Sequence, residues 1–158
     1  MTSASLRPAK KVGASGVVLF VCVQNSARSL IAEAIFNHEA PPGWRAESAG
    51  TQPAAQPNPR TGPVLEEIGY RLPPHPPQLL TPSLVERADL IITMGCLDDA
   101  SCPRFLRREK TIDWGLPDPA PLTDAGFREV RDEIRRRVVR LVGELSGERP
   151  GTDDGPRR

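Results

Sequence analysis

One short segment of the sequence combines residue types that could bind an anion and attack it. It runs from Cys22 to Ser29 and reads Cys-Val-Gln-Asn-Ser-Ala-Arg-Ser, with five residues between the cysteine and the arginine. The run from Val17 to Val23 is apolar and rich in β-branched residues, which is typical of a buried parallel strand. A helix is predicted to begin near Ala27 or Arg28. The segment is therefore a strand–turn–helix loop that presents free N–H groups and the positive end of a helix dipole.

We expect this loop to hold a tetrahedral oxyanion. Its successive amides can form an anion-binding nest, and the planar guanidinium of Arg28 matches two oxygens of a phosphate-like group. Cys22 lies at the mouth, where the same positive field stabilises a thiolate nucleophile and Ser29 can donate a hydrogen bond to the sulfur. The alternative is a small buried cysteine at a strand end, which the spacing of the arginine and serine disfavours. The predicted oxyanion-binding residues are Val23, Gln24, Asn25, Ser26, Ala27 and Arg28.

Alternating strands and helices are predicted to position this loop. Residues 1–15 and 146–158 are expected to be disordered tails, and residues 16–145 a single domain. The pattern predicts an α/β fold, an open four-stranded parallel sheet with helices on both faces. Besides the first strand and helix, the predicted strands are residues 44–48, Asp89–Met94 and Lys110–Trp114, and the predicted helices are Gly62–Tyr70, Leu84–Ala88 and a last one from a Thr123 or Asp124 cap to about Leu145.

The carboxyl ends of the parallel strands should form the site, because open α/β sheets bind ligands at that edge. Cys22, Cys96 and Asp118 each follow a predicted strand, so all three could meet there. The segment from Arg71 to Pro82 contains five prolines and is expected to be irregular.

Charge and composition exclude some classes of function. The 21 basic and 20 acidic residues nearly cancel, so the basic patch of a nucleic-acid binder is not expected. No apolar stretch approaches the roughly 20 residues of a membrane span. We therefore expect a cytoplasmic protein without nucleic-acid or membrane partners. Three cysteines in a reducing compartment favour chemical roles over permanent disulfides.

Several motifs in the same order resemble the low-molecular-weight tyrosine phosphatase superfamily, and within it the thioredoxin-coupled arsenate reductases. The resemblance spans about Val17 to Leu145 and is carried by Phe20–Ser29, Ala32–Ala34, Glu47–Thr51, Ala88–Cys96, Cys102-Pro103, Asp113–Pro119 and Phe127–Ile134. It implies a low-molecular-weight phosphatase-like fold, with Cys22 as the nucleophile and Arg28 as the oxyanion clamp. It also implies that Asn25 holds the loop's conformation and that Asp118 is the general acid. A carboxyl near the anion can protonate a departing oxygen. The alternative for Asp118 is a turn aspartate before proline.

Two features favour the reductase branch over the phosphatase branch. The residues after the Asp118-Pro119 pair are Ala120-Pro121, whereas the similar tyrosine phosphatases usually place aromatic residues there to clamp a phosphotyrosine ring. Cys96 and Cys102 follow one strand on one loop, and a phosphatase needs only one cysteine. Incidental cysteines or a metal pair are the alternatives, but five intervening residues is poor zinc spacing.

The resemblance implies a thiol relay. Cys22 attacks arsenate, Cys96 attacks Cys22 as arsenite leaves, and Cys102 attacks Cys96, leaving a disulfide that thioredoxin reduces. Phosphate or sulfate would mimic the substrate. A phosphomonoester hydrolase acting through Cys22 is the alternative function, and an oxyanion or redox sensor module is a third.

The resemblance also raises the question of a bound ion, since no tightly bound cofactor is otherwise expected. Some thioredoxin-coupled members bind a potassium ion beside the loop, and Asn25, Glu33 and Ser48 match three of its ligand positions. The fourth ligand, an aspartate, has no match near Thr81 to Leu84. Glu33 could equally be an exposed helix residue.

Overall fold

Four parallel strands form one open sheet in the part of the chain that the structure describes. The structure is a computed structural model, and it describes residues 15–95 and 110–147. The strand order is β2-β1-β3-β4, which places β1 at the centre. In chain order the elements are β1 (Gly16–Cys22), α1 (Arg28–Glu39), β2 (Trp44–Gly50), α2 (Thr61–Glu66), α3 (Pro82–Arg87), β3 (Leu90–Thr93), β4 (Thr111–Asp113) and α4 (Asp124–Leu145). The predicted fold is confirmed.

The helices pack on both faces of the sheet because side chains alternate along each strand. On one face, Val18 and Phe20 of β1 join Ile92 of β3 in a core that α1, α2 and α4 complete. On the other face, Leu19 and Val21 pack with residues from α3 and the segment before it. β1 is buried along its whole length, as its apolar run predicts.

The helix that follows the cysteine loop, α1, lacks the side-chain N-cap that α3 and α4 have. The Thr81 hydroxyl caps α3 by accepting from Leu84 N at 3.3 Å, and Thr123 caps α4 by accepting from Gly126 N at 3.1 Å. α1 begins after Ala27 with no side-chain cap. The free N–H groups at its start are therefore not used by a capping side chain and are available to an anion.

Several boundaries differ from the predictions. α3 begins at Pro82 rather than Leu84, because Thr81 caps it, and β3 is one residue shorter at each end than predicted. β2 continues to Gly50, two residues beyond the predicted end, because it pairs in register with β1 as far as Cys22. α2 ends at Glu66 rather than near Tyr70, since the Leu65 carbonyl accepts from both Ile68 N and Tyr70 N in a turn where Gly69 has φ +92°. β4 covers only residues 111–113 of the predicted edge strand.

The predicted tails lie almost entirely outside the described residues, as do Cys96 and Cys102. No helix in the described ranges is long and apolar enough to cross a membrane.

Candidate oxyanion site

The loop from Cys22 to Ala27 joins the central strand to the uncapped start of α1. The Cys22 side chain is buried, with its sulfur 3.0 Å from Ser29 Oγ. The backbone N–H of Asn25 also donates to this sulfur, with Asn25 N at 3.3 Å. The sulfur thus accepts from one backbone N–H and lies within hydrogen-bond distance of one hydroxyl, which can donate to it when Cys22 reacts as a thiolate.

The side-chain amide of Asn25 orders the hydrogen bonds around that sulfur. Its Oδ1 accepts from Gln78 N at 2.9 Å, and because a backbone N–H can only donate, this contact fixes the orientation of the amide. Its Nδ2 then donates to Ser29 Oγ at 2.7 Å and to Ser48 Oγ at 2.9 Å. Ser29 Oγ accepts from Asn25 and keeps its own proton, which it can donate to a Cys22 thiolate. Asn25 has φ +51°, the left-handed conformation that asparagine tolerates better than most residues.

A backing segment, residues 51–58, takes up the carbonyl groups of the loop. The N–H groups of residues 51, 52, 54 and 58 donate to the carbonyls of residues 22, 23, 24 and 26 at 2.7–3.1 Å. In a trans peptide the N–H points opposite to the carbonyl of the same unit. The N–H groups of Val23, Gln24, Asn25 and Ala27 therefore point away from the backing segment. The N–H of Asn25 donates to the Cys22 sulfur, and those of Val23, Gln24 and Ala27 can form an anion nest.

Gly50 lets the loop approach β2 closely. A Cβ atom at Gly50 would lie 2.5 Å from the carbonyl oxygen of Val23 and 2.9 Å from the backbone N of Asn25. Real Cβ atoms do not come this close to backbone, so only glycine fits here without displacing the loop.

Arg28 is buried and tied to two further strand ends. Its Nη1 donates to Met94 O at 2.8 Å and to Leu116 O at 2.9 Å, in the segments that follow β3 and β4. Nε and Nη2 have no partner among residues 15–95 and 110–147. The guanidinium is thus held by one nitrogen, and two nitrogens stay available for two oxygens of an anion.

Glu33 lies behind the loop and is buried, so the alternative of an exposed helix residue is wrong. Ser48 Oγ donates to Glu33 Oε1 at 2.5 Å, and His75 Nε2 lies 2.9 Å from both Glu33 oxygens. Burial of the imidazole lowers the pKa of His75, but the hydrogen bond to the Pro76 carbonyl and the contact with Glu33 raise it, and the net pKa is raised. The raised pKa of His75 therefore favours the protonated ring beside this carboxylate.

The matched potassium ligands lie together but are already engaged. Asn25 Oδ1 accepts from Gln78 N, and both Glu33 oxygens contact His75. This oxygen set does not fit an alkali ion as it stands. The potassium site stays a prediction.

Asp118 lies on the loop after β4, two residues beyond the Leu116 carbonyl that accepts from Arg28. Its side chain is exposed and accepts from Ala120 N at 3.0 Å. This contact is typical of a turn aspartate, and it leaves the carboxyl able to act as a general acid.

The position of Cys96 follows from the end of β3. Cys96 directly follows Gly95, whose N–H donates to Asp113 Oδ1 at 2.7 Å.

Three side chains at the site were missed in the sequence: His75, Gln78 and Arg60. Gln78 joins the proline-rich segment to the loop. Its backbone N–H donates to Asn25 Oδ1, and its side-chain Nε2 donates to Ser48 O at 2.7 Å. Gly50 N donates to Gln78 O, and Leu80 N donates to Gly50 O. In the sequence these residues are marked only as polar side chains next to prolines, and this pattern does not predict which residues they contact.

Comparisons with known proteins agree with this geometry. Residues 17–150 match the profile of the low molecular weight phosphotyrosine protein phosphatase family. An arsenate reductase of Bacillus cereus is 31% identical over 129 residues, which cover 80% of this chain and 96% of that protein.

Two solved structures also align well. An arsenate reductase of Archaeoglobus fulgidus has a TM-score of 0.68 and 35% identity, covering 80% of this chain and 99% of that one. A thioredoxin-dependent arsenate reductase of Corynebacterium glutamicum has a TM-score of 0.67 and 32% identity, covering 84% of this chain and 62% of that one. With a family match across most of its length and a cysteine loop of the matching form, the chain belongs to the low molecular weight phosphotyrosine protein phosphatase family, in which these arsenate reductases are among its relatives.

Proposed function

We propose that this protein reduces arsenate to arsenite, with Cys22 as the nucleophile, Cys96 and Cys102 as relay thiols, and thioredoxin as the reductant. The observation that supports it most directly is the environment of the Cys22 sulfur, which accepts from Asn25 N–H and lies 3.0 Å from Ser29 Oγ. The same strand–loop–helix segment contains Arg28, whose guanidinium is held by two carbonyls. The arsenate reductases among the relatives favour arsenic as the atom attacked.

Substrate binding uses the loop amides and the free edge of Arg28. The N–H groups that face the loop interior and the start of α1 provide a positive cradle. Arsenate and phosphate are tetrahedral oxyanions with similar charge, so phosphate should compete for the same cradle. This binding step is common to reductase and phosphatase chemistry.

In the first chemical step the Cys22 thiolate attacks arsenic and forms an S–As bond. One arsenate oxygen leaves, protonated by Asp118 so that it departs as water rather than hydroxide. The step changes no oxidation state, and the adduct still contains As(V).

In the second step the Cys96 thiolate attacks the Cys22 sulfur and forms an S–S bond. The S–As bond breaks and its electron pair stays on arsenic, which becomes As(III) and leaves as arsenite. Cys102 then attacks Cys96, and Cys22 leaves as a thiolate. Two electrons have moved from the Cys96 and Cys102 thiols to arsenic, and a Cys96–Cys102 disulfide remains.

A dithiol protein must supply two electrons to reopen that disulfide. We assign this role to thioredoxin, because two relay cysteines make a small-thiol donor unnecessary and because the Corynebacterium glutamicum relative is thioredoxin-dependent.

Single-turnover mass spectrometry tests the scheme. The reduced protein is mixed with arsenate, quenched by alkylation and mapped for disulfides. Wild type should give Cys96–Cys102, Cys102→Ser should stop at Cys22–Cys96, and Cys22→Ser should give neither. Phosphate in place of arsenate is the matched control and should give no disulfide.

A phosphomonoester hydrolase is the second candidate, because the family match itself is to phosphatases. That function would use the same Cys22, Arg28 and Asp118 through a phosphocysteine that water hydrolyses. Turnover of p-nitrophenyl phosphate without any arsenate-dependent disulfide would favour it and exclude the reductase scheme.

A further inference from the structure

Arg60 connects the predicted general-acid loop to the rest of the site. It directly precedes α2, and its Nη1 donates to Leu122 O at 2.9 Å and to Asp124 Oδ1 at 3.1 Å. Its Nη2 donates to Ala120 O at 2.9 Å and to Pro119 O at 3.3 Å. The guanidinium carbon also lies 4.5 Å from the centre of the Phe127 ring. One side chain thus binds three carbonyls of the loop between Asp118 and α4, together with the first residue of α4.

The backbone at Arg60 is itself fixed to the anion loop. Asn58 N donates to Ser26 O at 3.0 Å, and the buried Thr61 hydroxyl donates to the same carbonyl at 2.8 Å. Asn58 Oδ1 accepts from Arg60 N at 2.9 Å. The backbone of Arg60 is therefore held by residues that contact Ser26, and its side chain extends to the loop that contains Asp118.

Asp118 lies between two arginine tethers. Arg28 binds the Leu116 carbonyl before it, and Arg60 binds the Pro119 and Ala120 carbonyls after it. Both arginines are positioned by the anion loop or its immediate neighbours. The loop with the carboxyl is thereby fixed relative to the cradle on both sides.

We propose that Arg60 is a positioning residue, which holds the Asp118 carboxyl where it can protonate the departing oxygen. This role rests on the proposed function, since it requires Asp118 to act as a general acid. Because the planar fork spans four acceptors, a lysine at this position would replace it only in part.

A plain structural role would give different kinetics. If Arg60 only fastened α4, its loss would lower the free energy of unfolding without preferring one catalytic step. If it positions Asp118, its loss should lower kcat on the order of tenfold or more, within the roughly 10²- to 10⁴-fold of a general acid, with little change in KM. Esters with poor leaving groups should be slowed most, because they depend most on the acid.

The decisive experiment is a double-mutant cycle of Arg60→Ala with Asp118→Asn. It is measured on arsenate-dependent disulfide formation and on two phosphate esters, p-nitrophenyl phosphate and an alkyl phosphate. Arg60→Lys tests partial rescue. The matched control is Arg128→Ala, which removes an exposed α4 arginine that pairs with Glu67 and binds none of the loop carbonyls that Arg60 holds.

We expect Arg60→Ala to slow the alkyl phosphate more than p-nitrophenyl phosphate and to add nothing further when Asp118 is already asparagine. Equal slowing in both backgrounds, or slowing matched by Arg128→Ala, would overturn the positioning role. If wild type makes no disulfide but hydrolyses the esters, the reductase function fails while the cycle on the esters still decides the role of Arg60. A folded chain that acts on neither substrate overturns both.

Discussion

Ser29 Oγ lies 3.0 Å from the sulfur of Cys22 and is oriented by a hydrogen bond that it accepts. Asn25 Nδ2 donates to this hydroxyl, whose own proton can then be donated to a Cys22 thiolate. The same amide donates to Ser48 Oγ, whose proton goes to Glu33. One asparagine thus joins two hydrogen-bond chains, one that reaches the Cys22 sulfur and one that ends on the Glu33 carboxylate.

Ser29→Ala should make Cys22 less reactive. The change removes one donor to the thiolate and leaves the loop backbone in place, and hydrogen bonds to charged groups contribute about 1.5–3 kcal/mol. Alkylation of Cys22 by iodoacetamide at neutral pH should slow by about tenfold or more. Peptide mass spectrometry over a time course measures it. Ser83→Ala, an exposed serine on α3, is the matched control, and equal rates in the two variants would contradict the predicted hydrogen bond.

Arg28→Lys should weaken oxyanion binding even though the charge is kept. Lysine loses both the tether from Nη1 to two carbonyls and the fork left for the anion. We expect phosphate affinity to fall by roughly 10- to 100-fold, the equivalent of about 1.5–3 kcal/mol. Isothermal titration with phosphate measures this loss. Arg136→Lys makes the same chemical change at an exposed position and should bind phosphate as wild type does.

Gly50→Ala should distort the anion loop, because the added Cβ would meet the Val23 carbonyl at 2.5 Å. Overpacking of this kind costs about 1–3 kcal/mol, and phosphate binding should weaken together with the free energy of unfolding. Urea unfolding and phosphate titration measure the two effects. Gly62→Ala in α2 is the control, since only a Leu72 methyl lies as near as 4.0 Å, and it should stabilise the protein by about 0.4–1 kcal/mol. A Gly50→Ala protein as stable as wild type would show that the loop can move away.

His75 should make stability depend on pH. Its pKa in the folded protein is raised above the usual 6.5, so the folded state favours the protonated ring. The stabilisation is fully present below about pH 6.5 and is lost as pH rises through the folded pKa.

His75→Gln removes this group, so wild type and variant should differ most under mildly acidic conditions and converge at alkaline pH. Urea unfolding across the pH range tests this expectation. A difference that grows towards alkaline pH would refute it. In a Glu33→Gln background the same substitution should have a smaller effect, because the carboxylate that favours the cationic ring is gone.

The residues that react could be predicted from the sequence, whereas the residues that hold them mostly could not. Cys22, Asn25, Arg28 and Ser29 lie within eight residues on a strand–loop–helix, and local spacing is enough to place them. Their geometry in the structure matches the predicted loop. Local pattern also located the main strands and helices, apart from their ends.

The missed contacts join residues far apart in the chain. Arg60 reaches carbonyls 59–62 positions away, and His75 meets Glu33 across 42 positions. Neither pair leaves a periodic pattern, because each depends on how the sheet brings separate loops to one edge. Asp118 illustrates the limit, since a turn aspartate and a general acid look the same in sequence.

The segment from Arg71 to Pro82 reduces the conformational entropy that is lost when the site becomes ordered. It contributes His75 and Gln78 to the back of the anion loop and pairs with Gly50 at the end of β2. An irregular segment usually loses much conformational entropy when it is fixed against a fold. Its five prolines restrict the unfolded chain in advance, so less entropy remains to be lost. The prolines thereby help to keep the cradle assembled before any anion arrives.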